Sequence, residues 1–132
     1  MTRSFFVTGM TALVLLTSVA STRPVSATEE LATVGDIRYA VVNADCTIAR
    51  SLVGVTTCTK GGTGNYIIRF NRNVRNCAYN VTIGLAGASG TATPGLVTVA
   101  GAAVDVKGVF VTTDDIAGAS SDRPFHLMVI CR

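Results

Sequence analysis

Imidazole chemistry in this chain would rest on one residue, because His126 is its sole histidine. A serine–histidine or cysteine–histidine nucleophile would have to use it. Asp122 stands just upstream and Ser120 and Ser121 lie close by. A triad, however, draws its members from separate elements, and no G-x-S-x-G turn presents a serine here. The four cysteines, Cys46, Cys58, Cys77 and Cys131, include no C-x-x-C pair, and one histidine does not complete an ordinary zinc set around them. Asp114, Asp115 and Asp122 share one loop, with Asp105 upstream. Calcium takes oxygen donors of this kind, yet their spacing matches no EF-hand, and loop aspartates ordinarily cap turns. These residues predict no enzyme, no metal and no cofactor.

The remaining charged group of interest is cationic. Arg69, Arg72 and Arg75 recur at every third position through R-F-N-R-N-V-R, a spacing that offers an anion contact for an acidic polymer or partner; the plain alternative is a solvated turn. No aromatic residues interleave with them as base stacking requires, so nucleic acid is not expected. Arg123, beside Asp122 and before Pro124, reads as a structural arginine held by an ion pair or by loop backbone.

Residues 1–27 read as a signal peptide. Arg3 is followed by an apolar run over 11–20, about half the length of a membrane span, and by the small residues of Val25-Ser26-Ala27 just after Pro24. No later segment is apolar enough for stable membrane insertion. The leader carries Arg3 and Arg23 out of eleven basic residues, while all eight acids follow it, so the formal charge falls from +3 to +1. Near-neutrality does not make an electrostatic nucleic-acid binder. Residues 28–132 are expected to form one domain. Four cysteines in a small secreted domain predict two disulfides.

Beyond the leader, runs rich in Val, Ile, Thr, Tyr and Phe alternate with Gly, Asn, Asp and Ser. That pattern predicts an all-β fold of about eight short strands, over 37–43, 46–51, 54–59, 65–70, 77–85, 96–101, 108–113 and 125–131. Gly61-Gly62-Thr63-Gly64 reads as a turn. The expected architecture is an antiparallel two-sheet sandwich, Ig-like or jelly-roll-like. A period of two places Cys77, Tyr79, Val81, Ile83 and Leu85 on one inward line and Phe125, Leu127, Val129 and Cys131 on another. Antiparallel neighbours would join Cys77 to Cys131. If 46–51 and 54–59 form a hairpin with a three-residue loop, Cys46 falls opposite Cys58, within reach of a disulfide. His126, Met128 and Ile130 then occupy the second face of the last strand, which is too apolar for solvent. Phe110 and Ile67 likewise oppose their strands' core lines. Either a loop or the sandwich edge covers this surplus, or it is a subunit contact or binding surface.

Four stretches resemble a small β-rich module of exported actinobacterial proteins: Y-A-V-V-N-A-D from Tyr39, G-N-Y-I-I-R-F-N-R-N-V-R-N-C-A-Y from Gly64, G-V-F-V-T-T-D-D from Gly108 and D-R-P-F-H-L-M-V-I-C from Asp122. The resemblance implies secretion and a β-rich fold and no particular reaction. A weaker likeness to the β-rich tips of phage-tail-like fibres would imply trimers. The chain departs from the module at Asp45-Cys46, where Asp-Gly is expected, and at Cys58. Both departures are cysteines, which fits an added Cys46–Cys58 staple and removes the glycine a tight Asp-Gly turn would use.

The combined expectation is a secreted, non-enzymatic binding or structural module, acting outside the cell as a homo-oligomer or on a cell-envelope or protein partner. Its contact surface would comprise Phe110, His126, Met128 and Ile130. The alternative is a small disulfide-stapled inhibitor of an extracellular hydrolase, presenting the loop 86–95 or 114–123.

Overall fold

A computed structural model describes residues 35–52 and 54–132; the expected leader lies outside the described residues. These residues form β1 (Asp36–Val42), β2 (Ile48–Ser51), β3 (Val55–Gly62), β4 (Asn65–Phe70), β5 (Ala78–Ile83), β6 (Leu96–Gly101), β7 (Gly108–Asp114) and β8 (Phe125–Cys131). They make two four-stranded antiparallel sheets, A in the order β2-β1-β8-β5 and B in the order β3-β4-β7-β6. The all-β sandwich with two disulfides is therefore the observed fold.

The core lies where the alternation puts it. Sheet A contributes Ala40, Val42, Phe125, Leu127, Val129 and Cys131, and sheet B contributes Tyr66, Ile68, Phe70, Val109 and Val111, all buried. Each large side chain removed from water contributes about 1.5–3 kcal/mol. Tyr66 meets Phe125 edge to face across the sheets at 5.1 Å between ring centroids. Leu85 departs from its expected inward line: β5 ends at Ile83 and Leu85 is exposed. The turn over 61–64 is also shorter than expected. Strand β3 continues to Gly62 through a register shift after Lys60, and the turn is confined to Thr63 and Gly64.

Both expected disulfides form. Cys77 and Cys131 face each other in the β5–β8 register, with Cα atoms 4.5 Å apart. That is the separation of a non-hydrogen-bonded antiparallel pair. Cys46–Cys58 forms for a different reason than the hairpin predicted. Strand β2 pairs with β1, and β3 with β4, so the bond joins the two sheets instead of neighbouring strands in one. A tight β1–β2 turn causes this: Asn43 N–H donates to Thr47 C=O and Cys46 N–H to Asn43 C=O, both at 2.9 Å. Cys46 itself has φ +75°, the left-handed conformation that glycine would supply. The turn thus survives loss of glycine, and its unusual cysteine is directed to Cys58 of the opposite sheet.

Candidate functional site

The outer face of sheet A is the most developed surface, and strand register fixes its layout. One row runs Arg50, Val41, His126, Thr82; the next runs Tyr39, Met128, Asn80; the third runs Ile37, Ile130, Ala78. The centre of the face is apolar and open, with Ile37 43%, Tyr39 37%, Met128 44% and Ile130 41% exposed. Asn80 and Thr82 give the β5 side amide and hydroxyl groups. A hollow of about 460 Å³ lies among Tyr39, Arg50, Asn80, Thr82, His126 and Met128.

Arg50 and His126 form a polar bar at one end. Arg50, on β2, donates to the Ala86 carbonyl, which the chain after β5 brings within its reach. This explains why Val41 is buried although strand parity turns it outward, since the aliphatic stem of an arginine covers apolar surface. His126 Nε2 lies 2.9 Å from the Leu85 carbonyl. A carbonyl only accepts, so Nε2 carries the proton. The ring packs against Gly84, where a Cβ would come within 3.0 Å of it. His126 therefore ties the loop after β5 to the sheet.

The structure separates the expected interface residues. His126, Met128 and Ile130 share the sheet A face, but Phe110 is on the outer face of sheet B, on the far side of the sandwich, opposite Ile67. It borders an apolar hollow of about 300 Å³ with Ile67, Ala102 and Val104. Both sequence parities were sound; sheet membership depends on long-range pairing.

The three arginines do not converge on an anion site. Arg69 pairs with Asp105, Arg72 lies 2.7 Å from Asp36, and Arg75 donates to the Ala102 and Ala103 carbonyls at 3.0 Å. Asp36 also accepts from Arg38, and the two guanidiniums hold its carboxyl below the ordinary carboxylate range. Asp105 is held down in the same way, chiefly by Arg69.

Asp122 is a clamp. It accepts from the Gly64 N–H at 2.8 Å, Lys60 Nζ at 2.6 Å and the Tyr66 hydroxyl at 3.1 Å. The Gly64 N–H and then Lys60 hold its carboxyl below the ordinary value, while burial pushes the Tyr66 hydroxyl up. Arg123 does not pair with Asp122, and its buried Nε has no hydrogen-bond partner among the described residues. Asp115 caps its own loop by accepting from the N–H groups of Ala117 and Ala119. Among the described residues no three His, Cys, Asp or Glu side chains gather as metal ligands.

Ile37, Tyr39, Arg50, Asn80 and Thr82 are the members of the site that sequence reasoning missed. Parity alone turns Tyr39 away from Ala40 and Val42. Nothing local shows that Arg50 reaches Ala86. No helix among the described residues is long and apolar enough to cross a membrane. Comparison with protein-family models, curated proteins and solved structures finds no match to this chain.

Proposed function

We propose that this chain is a secreted, non-enzymatic binding module that engages a cell-envelope or protein partner through the outer face of sheet A. One observation carries the reading: Ile37, Tyr39, Met128 and Ile130 form a continuous exposed apolar stripe bordered by Asn80, Thr82, Arg50 and His126. An apolar centre with a polar rim is the anatomy of a contact surface. Two disulfides suit an oxidising extracellular setting. The test is co-sedimentation of the purified protein with cell-envelope fragments, comparing wild type with Met128→Asp. Met128 is exposed, so the variant should melt like wild type but lose sedimentation. Equal sedimentation of both would move the contact elsewhere.

The inhibitor reading has its own supporting observation. The loop after β7 is held by Asp115 and by the Asp115–Ala119 backbone bond, and it presents Ile116 with 78% exposure. Inhibition of an extracellular protease that disappears in Ile116→Asp would favour this reading over envelope binding.

A further inference from the structure

The two flanks of the sandwich are built differently. On one flank, β2 has four residues, carries Arg50 and meets β1 through a register shift, while β3 carries Lys60 and meets β4 through two shifts. The Cys46–Cys58 bond joins the sheets there. Shortness, charge and bulges are how proteins protect strand edges from pairing. On the other flank lie β5 and β6, six residues each, with no charged residue, no proline and unbroken register to their neighbours.

The backbone of β6 is oriented to pair. Ala102 N–H donates to the Gly108 carbonyl at 2.9 Å, which makes 102/108 a hydrogen-bonded pair of the β6–β7 ladder. Alternation then turns Leu96, Thr98 and Ala100 toward β7 with their backbone groups, and directs the N–H and C=O groups of Val97, Val99 and Gly101 to the side of β6 that has no strand partner in sheet B. Gly101 has no side chain and is exposed, so it is backbone that solvent reaches there.

We propose that β6 pairs antiparallel with β6 of a second copy of this chain, joining two B sheets into one. A two-fold axis perpendicular to the sheet at Val99 sets Val97 opposite Gly101 of the second copy, each facing pair exchanging both hydrogen bonds. The same axis keeps the outer faces of the two sheets on one side. It brings Leu96, 51% exposed, beside Ala102 of the second copy, at the apolar hollow lined by Ile67, Ala102, Val104 and Phe110. Each copy thus provides one protruding leucine and one hollow, as an isologous contact requires. With no charge on β6, no like charges are opposed across the axis. The occupant is identified by this self-complementarity of register and shape. The pairing uses no residue of the sheet A face and does not depend on the binding role proposed for it.

The test is the mass of the purified protein by light scattering over a dilution series, together with amide hydrogen exchange. Wild type should be a dimer with protected Val97 and Val99 amides. Leu96→Asp, at an exposed position, should weaken the dimer by about a hundredfold or more, two leucine contacts being lost per dimer, and expose both amides without unfolding the chain. Met128→Asp should leave the dimer intact. Three results overturn the proposal: a monomer throughout the series, a dimer that Leu96→Asp leaves equally tight, or one that Met128→Asp dissociates.

Discussion

Replacing Cys46 and Cys58 separates what the disulfide contributes from what the turn demands. The bond closes a loop with a sequence separation of 12, for which the chain-entropy relation gives about 3 kcal/mol. Cys46 has φ +75°, a conformation that costs an ordinary L-residue about 1–2 kcal/mol. The turn is held independently of sulfur: Asp45 accepts from Thr47 N–H at 2.9 Å and Thr47 Oγ1 at 2.7 Å, and Asn43 Nδ2 donates to Thr47 Oγ1 at 2.8 Å. Two double variants should therefore differ. Cys46→Ala with Cys58→Val loses the cross-link and keeps the backbone cost. Cys46→Gly with Cys58→Val loses the cross-link and relieves that cost, less about 0.4–1 kcal/mol for the greater freedom of glycine in the unfolded chain. The glycine variant should be more stable by about 1 kcal/mol, which is about 4–8 °C in a domain of this size. Thermal melts followed by circular dichroism, with both variants beside wild type, supply the comparison. An alanine variant as stable as the glycine one would refute the reasoning. It would mean that the bond imposes the left-handed turn and that the backbone abandons it once the bond is removed.

Asp122→Ala removes the acceptor of the Gly64 N–H and a partner of Lys60 and Tyr66; charge-assisted bonds of this kind put its expected cost at about 2 kcal/mol, read as a lower urea midpoint at unchanged slope. Stability should also fall in acid. Asp36, Asp45, Asp105 and Asp122 are all held below the ordinary carboxylate value by their donors, so the folded chain binds fewer protons than the unfolded one. Their contribution is complete above the unfolded value of about 4 and is lost as pH drops through the lowered folded values. A urea midpoint that stays level or rises between pH 5 and pH 2, within the range about those values, contradicts this sign.

Much of the fold was legible because alternation is a local signal. The ranges 65–70, 96–101 and 125–131 coincide with β4, β6 and β8, and the inward lines through Tyr79 and Phe125 pack as parity demands. Pairing is not local. The hairpin placing Cys46 opposite Cys58 named the right bond but the wrong neighbours, because β2 lies on β1 and the chain crosses between sheets before β3. The same gap put Phe110 beside His126 when a whole sandwich separates them. Arg69, Arg72 and Arg75 looked like one cationic set since their spacing was visible and Asp105, Asp36 and the 102–103 carbonyls, their partners, were distant in sequence.

What is distinctive in this small domain is that its apolar residues are divided between folding and surface. A domain of about this size has little core to spare, yet Ile37, Tyr39, Met128 and Ile130 remain open on sheet A, and Leu96 on β6. Covalent links reduce the need to bury them. The long Cys77–Cys131 loop, with a sequence separation of 54, is worth about 4 kcal/mol by the chain-entropy relation and the short one about 3, together comparable to the whole net stability of an ordinary domain. Their placement is complementary. Cys77–Cys131 anchors the end of β5 to β8 within sheet A, and Cys46–Cys58 ties sheet A to sheet B at the flank where the strands are short and bulged. The stapled flank is also the one whose edges are charged, whereas the regular, uncharged flank has no bond between its sheets. Cys46–Cys58 thus cross-links the two sheets on the flank whose strands are bulged and charged, whereas Cys77–Cys131 holds β5, on the other flank, within sheet A alone.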